Sequence, residues 1–324
     1  MLALLIAGCD LVAGHYGAPH DPTDATEVVV QVPQGSTMRG MAPALEEAGV
    51  IGDADGFTTW LRISKEGSCL KAGRHRVRAN MSAAELVAAL CGVPLPEDIP
   101  FTVVEGWRIR EIDAALVEAG LAQPGEYTSA AAAPTRFTAT YTLPSDTLEG
   151  YLFPETYMVD PQRFTVDGLI QRQLDLLGER FVSRHSEEEL AVRGLPALVV
   201  MASMLEREEP TPAQRPLVAG ILWKRLDSGW NLGVDATSRY TLEQWNDRQA
   251  FLVKLRDPAD PYNTRLRGGL PPTPIGNPST SSLEAALSPV ESEYWYYLHD
   301  SSQTLRPARD VAGHEANRRR YDVY

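Results

Sequence analysis

The stretch Pro196-Ala-Leu-Val-Val-Met-Ala-Ser-Met-Leu-Glu-Arg-Glu-Glu209 predicts a long helix in the second half of the chain. Pro196 suits the first turn of a helix, where its missing N–H has no helical partner, and Pro210 ends the helix. Apolar residues recur at the helical positions i, i+3, i+4 and i+7, namely Leu198, Met201, Ala202 and Leu205. The spacing indicates a helix that buries one apolar face, so the neighbouring segments should pack around it.

The last turn of this helix carries Glu206, four residues after Ala202 and therefore on or beside the apolar face. Burial and the negative end of the helix dipole both favour the protonated form of a carboxyl group at that position. A carboxyl group that stays protonated near neutral pH can act as a general acid. Glu208 lies roughly 200° further around the helix. A merely solvated, charged helix end is the alternative, since carboxylates are common there.

Composition places the chain among ordinary globular proteins with room for two domains. It has 324 residues, of which 44% are hydrophobic and 23% charged. The net charge of −13 and the absence of a long Lys/Arg run argue against nucleic acid as a partner. The three cysteines form no C-x-x-C pair and the six histidines are scattered, so the sequence predicts neither a metal site nor a cofactor.

The N-terminus predicts an attachment to a membrane. Residues 2–8 are apolar and meet Cys9, but seven residues are too few to span a bilayer, which takes about 20. They read either as the outer end of a longer membrane helix or as a lipoprotein site with Cys9 lipidated; a plain disordered terminus is the third interpretation. We expect residues 1–26 to form a tether and spacer, with the rest of the chain outside the cytoplasm.

A strand–turn–helix unit occurs twice at an offset of 71 residues. Gly35 matches Gly106, and Gly49 matches Gly120, with Leu45 and Leu116 equivalent between them. Around the first copy, residues 27–32 predict a strand, and Ser82 with Glu85 predicts a capping box that opens a helix. Helical patterns dominate after residue 165, interrupted by proline-stiffened loops at 261–264 and 268–278. The fold class predicted is α+β, with a small N-terminal region and a mixed, helix-rich second domain.

An ordered set of motifs resembles the YceG-like endolytic murein transglycosylases. The set covers roughly residues 27–324 and comprises Leu148-Glu-Gly-Tyr-Leu-Phe-Pro-Glu-Thr-Tyr157, Ala202-Ser-Met-Leu-Glu-Arg-Glu208, Arg225-Leu226, Asp235, Pro261-Tyr-Asn-Thr264, Gly269-Leu-Pro-Pro272, Ile275, Asn277-Pro278 and Ser282-Leu-Glu-Ala-Ala286. Leu70-Lys-Ala-Gly73 and Val104-Glu-Gly-Trp107 resemble the family's LysM-like region. The resemblance implies a LysM-like subdomain at 27–97, a second strand–helix unit and linker at 98–135, and a catalytic domain at 136–324.

The family's activity, as the resemblance implies it, is a lyase reaction on peptidoglycan. The enzyme cuts β-1,4 bonds between MurNAc and GlcNAc within nascent glycan strands and leaves 1,6-anhydro-MurNAc ends, which terminates elongation. The resemblance places the protein on the periplasmic side of the inner membrane and implies glycan strands, and also peptidoglycan synthases, as partners.

Site residues follow from the same resemblance. The family's catalytic Glu lies in an A-S-x-x-E-x-E motif, whose first Glu matches Glu206. Asn263 would hold the substrate's acetamido group, since an amide both donates and accepts hydrogen bonds. Tyr262 and Tyr151 would stack on sugar faces, with core packing as the alternative. The supporting carboxylates are Glu149, Glu155, Glu208 and Asp235, with turn capping or pairing to Arg215 or Arg225 as the alternative.

Four positions depart from the family pattern, which has Asn at Lys224, Gln at Gly233, Pro at Ala236 and an aromatic residue at Arg265. Gly233 offers no side chain to a sugar. Two other functions therefore stay open. One is a lysozyme-type hydrolase with Asp235 or Glu149 as second carboxylate, and the other is a membrane-tethered peptidoglycan-binding protein without activity.

Cys69 and Cys91 predict a disulfide, because both lie in one small subdomain of an exported chain, where disulfides persist. Two buried free thiols are the alternative.

Overall fold

The computed structural model describes residues 16–95 and 98–323, which divide into two units. The first ends at Ile99 and takes in residues 160–162, and the second holds residues 100–159 and 163–323. The predictions for residues 2–9 lie outside the described residues. Within the described part of the chain, no helix combines the length and the apolar character needed to cross a bilayer.

The first unit packs three helices on a two-stranded sheet. Its elements are β1 (Val28–Val32), α1 (Ala42–Glu47), α2 (Ala54–Ser64), β2 (Gly73–Val77) and α3 (Ala83–Cys91). The strands are antiparallel, with Val28 opposite Val77 and Val32 opposite Gly73. Alternate residues of β1, Val30 and Val32, are buried, as the two-residue period of a strand requires. They meet Leu45, Trp60 and Leu86 in a separate small core.

The predicted capping box is confirmed. The backbone N–H of Ser82 donates to Glu85 Oε2 at 2.8 Å, and the backbone N–H of Glu85 donates to Ser82 Oγ at 3.3 Å. The box begins α3, whose last residue, Cys91, forms a disulfide with Cys69 across a Cα–Cα distance of 5.1 Å. The predicted bridge is thus confirmed, and it joins the segment before β2 to the end of α3.

The second unit is helix-rich and carries two further two-stranded sheets, which confirms the α+β class. Its elements are β3 (Ile99–Thr102), α4 (Ile109–Glu118), α5 (Glu126–Ala131), β4 (Thr156–Val159), α6 (Val166–Arg180), α7 (Glu187–Ala191), α8 (Leu195–Glu208), α9 (Arg215–Asp227), α10 (Asp235–Tyr240), α11 (Arg248–Lys254), α12 (Thr280–Leu287), β5 (Tyr296–His299), β6 (Leu305–Ala308) and α13 (Val311–Tyr321). Strand β3 pairs with β4, and β5 runs antiparallel to β6.

The predicted repeat is present in the backbone. Gly35 and Gly106 have φ of 81° and 77°, and Gly49 and Gly120 have φ of 70° and 69°. Only glycine adopts such left-handed values without strain, so both copies turn the chain at the same two places. Residues 100–135, which hold the second copy, pack into the core of the second unit with the residues after 136.

Helix α8 is the centre of the second unit. The sequence predicted one buried face, but every residue from Leu198 to Leu205 is buried. Helices α7, α9, α10 and α12 all pack against it, so no side of its middle faces water. Its one buried polar side chain in that run is satisfied: Ser203 Oγ donates to the Val200 carbonyl and accepts the Ile275 N–H.

We predict that the disulfide stabilises the first unit. Replacing both Cys69 and Cys91 by Ser frees a loop with a sequence separation of 22 residues, which should lower the free energy of unfolding by about 3 kcal/mol. Thermal melts of the variant and of the reduced wild type measure the loss. A Cys9→Ser variant is the matched control and should melt as the wild type does. If the double variant and the reduced wild type melt at the same temperature as the oxidised wild type, the prediction is wrong.

Candidate active site

The second unit contains a cavity of about 900 Å³ at the C-terminal end of α8. This volume is at the upper end for small-molecule sites, which hold roughly 300–1,000 Å³. Its walls are the ends of α8 and α9, the start of α10, strand β5 and helix α13. The side chains and glycines that line it are Glu208, Arg225, Gly229, Trp230, Asn231, Gly233, Asp235, Arg265, Tyr296, Tyr297, Leu298, His299, His314, Arg318 and Val323.

Glu208, the last residue of α8, extends its half-buried carboxyl group into this cavity. Each carboxyl oxygen has one donor: the Ala236 backbone N–H lies 3.3 Å from Oε1, and the Tyr297 hydroxyl lies 3.2 Å from Oε2. Burial raises the pKa of Glu208, and the charge of Asp235 raises it further, against the opposing effect of the two hydrogen bonds. The group therefore keeps its proton to a higher pH than an ordinary glutamate does.

Glu206 has a different environment, although it lies only two residues away. Its side chain is 5% exposed and pairs with the equally buried guanidinium of Arg215, with Nη2 at 2.9 Å from Oε1. The backbone N–H of Ser279 donates to Oε2 at 2.8 Å, and the Ser279 hydroxyl donates to the same oxygen. Ser279 is the N-cap of α12, so the carboxylate of Glu206 also lies at the positive end of that helix.

These contacts reverse the environment expected for Glu206 from sequence. Burial was foreseen, but Arg215 and the N-terminus of α12 were not, and both stabilise a carboxylate rather than a neutral acid. Glu206 is also absent from the cavity lining. The reason is helical geometry: two residues turn the side chain roughly 200° around the axis, so α8 directs Glu206 towards α9 and α12 and Glu208 towards the cavity.

Asp235 shares the cavity with Glu208. It is the first residue of α10. Its Oδ1 accepts a hydrogen bond of 2.6 Å from Nε of Arg265, in a half-exposed ion pair. The helix forms because the Glu208 carboxyl accepts the Ala236 N–H, one of the free donors of the first turn.

Arg225 and three aromatic side chains form a further part of the cavity wall. Arg225 donates through Nε to the Trp295 carbonyl and through Nη1 to the Leu232 carbonyl. The ring of Tyr296 lies 5.6 Å from its guanidinium carbon, and the ring of Tyr297 lies 5.8 Å from it. Trp230, 43% exposed, packs at 4.6 Å on Trp295. Flat aromatic faces beside polar groups suit the two faces of a sugar ring.

Glu149 and Tyr262 belong to a second cluster away from this cavity. Glu149 is buried and accepts the Ile109 N–H and the Tyr240 hydroxyl, the latter at 3.1 Å. Burial is the main reason that its pKa rises to about 7. Tyr262 packs at 4.8 Å on the ring of Tyr240 and shares a hydrogen bond with Thr273. The cluster joins α4, α10 and the proline-rich loop.

Asn263 and Tyr151 occupy buried positions. The side-chain amide of Asn263 donates to the carbonyls of Lys254 and Asp257 and accepts the Arg265 N–H, so all of its contacts shape its own loop. Tyr151 is 2% exposed and stacks on Tyr141 at 6.4 Å. The surroundings of Tyr151 match the core-packing alternative, and Asn263 positions Arg265 rather than lining the cavity.

The four departures from the family pattern border the cavity wall. Gly233 lines it with φ of 66°, a conformation that favours glycine. Arg265 pairs with Asp235, and Lys224 donates to the Ser292 carbonyl over the ring of Trp295. Ala236 is buried and supplies its N–H to Glu208.

Sequence reasoning missed Tyr297, Trp230 and Ser279, and it named Arg215 as a partner of other carboxylates but not of Glu206. Tyr294-Trp-Tyr-Tyr-Leu298 predicted a strand, but not which of its aromatic rings reaches a carboxyl group. Among the residues that the structure describes, no three His, Cys, Asp or Glu side chains come together in a way that could hold a metal ion.

Comparison with known proteins connects this site to a family. The sequence model of the YceG-like family matches residues 30–320. The chain is 27% identical to the endolytic murein transglycosylase of Bacillus subtilis, over 98% of this chain and 91% of that protein. It is 26% identical to the endolytic murein transglycosylase of Streptococcus pneumoniae, over 93% of this chain but only 60% of the relative.

A solved structure, that of a yceG-like protein from Listeria monocytogenes, is similar in fold. The TM-score is 0.56 at 23% identity, over 90% of this chain and 99% of that one. The family model covers nearly all of the described chain, including every wall of the cavity except the last residue, Val323. The chain belongs to the YceG-like family.

Proposed function

We propose that this chain is an endolytic murein transglycosylase and that Glu208 is its general acid. The B. subtilis and S. pneumoniae relatives carry that activity in their names, and the first of them is matched over nearly its whole length. The cavity supplies what such a reaction needs, namely an acid at its wall and aromatic and polar groups around it.

One observation supports Glu208 over Glu206. A general acid must reach the substrate and must hold a proton near neutral pH. Glu208 lines the cavity and burial raises its pKa. Glu206 is held by Arg215 and Ser279 inside the protein and has no face on the cavity. The proposed acid is thus the second glutamate of the A-S-x-x-E-x-E motif, in place of the first, Glu206, which the resemblance to the family indicated.

The reaction needs one carboxyl group that acts twice. Glu208 gives its proton to the glycosidic oxygen as the bond from C1 of MurNAc to O4 of GlcNAc breaks, and O4 keeps the bonding electrons. The C6 hydroxyl of the same MurNAc then attacks C1, and the Glu208 carboxylate takes the proton that this hydroxyl releases. The anhydro bond forms within one sugar, and the acid returns to its starting state.

Neighbouring groups hold the acid in place. Tyr297 donates to one carboxyl oxygen and the Ala236 N–H to the other, so the proton and the attacking hydroxyl meet a fixed group. Burial raises the pKa of Tyr297 well above its usual value, so it remains a donor. Trp230 and Tyr296 offer faces for the sugars on either side.

The second candidate function is a hydrolase of lysozyme type, because Asp235 provides a second carboxylate in the cavity of Glu208. Glu149, the other carboxylate considered for that role, does not line the cavity. Arg265 binds Asp235 at 2.6 Å and neutralises it, which disfavours its use as a base or nucleophile. Digestion of isolated sacculi by the full chain, followed by mass spectrometry, separates the two reactions: anhydro ends mean transglycosylase, and reducing ends mean hydrolase.

The location and the N-terminal half extend the proposal on the sequence and on the resemblance to the family. Residues 1–26 tether the protein to the membrane, residues 27–97 form a LysM-like module for glycan, and peptidoglycan synthases at the periplasmic face are partners. The Cys69–Cys91 disulfide supports an extracytoplasmic site, because such bonds persist in oxidising compartments.

Glu208→Gln should abolish cleavage. Glutamine keeps the shape and the contacts of the side chain but cannot deliver or accept the proton, so the rate should fall by roughly 10²–10⁴ or more. Stability should hold or rise slightly, because the variant removes a carboxylate whose ionisation burial disfavours. Release of anhydro-muropeptides and thermal melts measure both effects. Near-normal release would reject Glu208 as the acid.

Glu206→Gln should act mainly on stability. It leaves the buried guanidinium of Arg215 without a counter-charge, which should cost about 3–5 kcal/mol. Well below its melting temperature the variant should still release product. As control, a Glu206→Leu/Arg215→Met double variant should recover stability, since apolar residues can replace a buried ion pair. Complete loss of release with an unchanged melt would instead make Glu206 the acid.

Tyr297→Phe should move the alkaline limb of the pH–rate profile. The wild-type rate should fall as pH rises through the pKa of Glu208, because the acid loses its proton. The Tyr297 hydrogen bond lowers that pKa, so its removal should raise the pKa and shift the limb to higher pH. Tyr296→Phe is the control, because its ring remains and it makes no bond to Glu208. A limb that stays in place or moves to lower pH would contradict the role of Tyr297.

A further inference from the structure

We propose that the α13 side of the cavity, formed by Arg225, His314 and Arg318, binds carboxylate groups of the peptide stem carried by the glycan strand. This inference rests on the proposed function, because it names the part of the murein substrate that the cavity recognises beyond the sugars.

Three basic side chains converge on this side of the cavity. The ring of Tyr296 lies 5.4 Å from the ring of His314 and 5.6 Å from the guanidinium carbon of Arg225. Arg318 follows His314 by one helical turn on α13, and both line the cavity. Burial lowers the pKa of His314, the charge of Glu315 opposes that shift, and the charges of Arg318 and Arg225 add to it, so the basic groups lie within electrostatic range of one another.

The positive charge of this cluster is poorly neutralised. Nε and Nη1 of Arg225 donate to backbone carbonyls, which carry no charge, and no salt bridge to Arg225 occurs among the described residues. Arg318 pairs with Glu315 at 3.0 Å, but both side chains are about 40% exposed, and such surface pairs contribute little. Nδ1 of His314 is buried and has no hydrogen-bond partner in the described part of the chain.

This arrangement contrasts with the rest of the molecule. The chain carries a net charge of −13, whereas this side of the cavity gathers basic side chains. Arg225 and Arg318 lie close together with only Glu315 and Glu208 to offset their charge, so an anionic ligand that enters this side of the cavity is stabilised. The planar guanidinium of an arginine matches a carboxylate in two hydrogen bonds.

The peptide stem of murein carries carboxylates close to the bond that is cleaved. Its sugars are neutral, and its carboxylates lie on the peptide that is joined to the lactyl group of MurNAc. The bond that Glu208 breaks starts at C1 of that same sugar. The stem begins at C3, two ring positions from that carbon, so it starts close to Glu208, and α13 with its basic cluster forms part of the wall of the same cavity.

The test compares two substrates and two neighbouring arginines in the full chain. Glycan strands with intact stems are prepared beside strands whose stems an amidase has removed. The wild type should prefer strands with stems, and Arg318→Gln should reduce that preference in kcat/KM by roughly 10-fold, mainly through KM. Arg318→Lys, which keeps the charge, should retain part of it. Arg319→Gln is the matched control, because Arg319 is exposed and does not line the cavity.

Binding measurements on a variant that does not cleave the glycan test the stem site independently of the reaction. In the Glu208→Gln background, affinity for strands with stems should fall in Arg318→Gln and hold in Arg319→Gln. An equal preference of the wild type for both substrates, or a preference that Arg318→Gln leaves intact, would overturn the inference. If the wild type cleaves neither substrate but binds stems through Arg318, the proposed reaction fails while the stem site stands.

Discussion

The buried ion pair between Glu206 and Arg215 is the constraint on which the site depends. It joins the end of α8 to the start of α9, and Ser279 adds the N-terminus of α12 to the same carboxylate. Two charges in the interior are costly unless each has its partners, so the pair tolerates few other arrangements of the three helices. With the three helices held in this arrangement, Glu208 lies at the C-terminal end of α8 and its side chain lines the cavity.

The contrast between the two glutamates shows how one helix serves two purposes. Both lie in the last turn of α8, where Glu206 is buried and Glu208 is half-buried at the cavity wall. Glu206 meets a cation and the positive end of a helix, which satisfy a carboxylate. Glu208 meets a tyrosine hydroxyl, one backbone N–H and the charge of Asp235, and burial raises its pKa. The same local sequence thus places one glutamate in a buried ion pair and the other in the wall of the cavity because the surroundings differ.

Several features could be predicted because their causes are local. The capping box of Ser82, the repeat glycines and the long helix from residue 195 depend on neighbours within a few residues. The fold class and the family also followed from the order of motifs along the chain. Among the site residues proposed from the sequence, Glu208 and Asp235 come together in the cavity, whereas Tyr151 and Asn263 are buried elsewhere.

By itself the sequence determined the long helix that ends in the two glutamates, the capping box of Ser82, the fold class and the family to which the chain belongs. Those properties depend on backbone propensity, on hydrophobic period and on motif order. Only the tertiary structure decided which glutamate faces the cavity and which meets Arg215. That choice depends on groups 9 to 89 residues away, namely Arg215, Ser279 and Tyr297. A carboxyl group acquires its charge state from the atoms that surround it, and no spacing along α8 specifies those atoms.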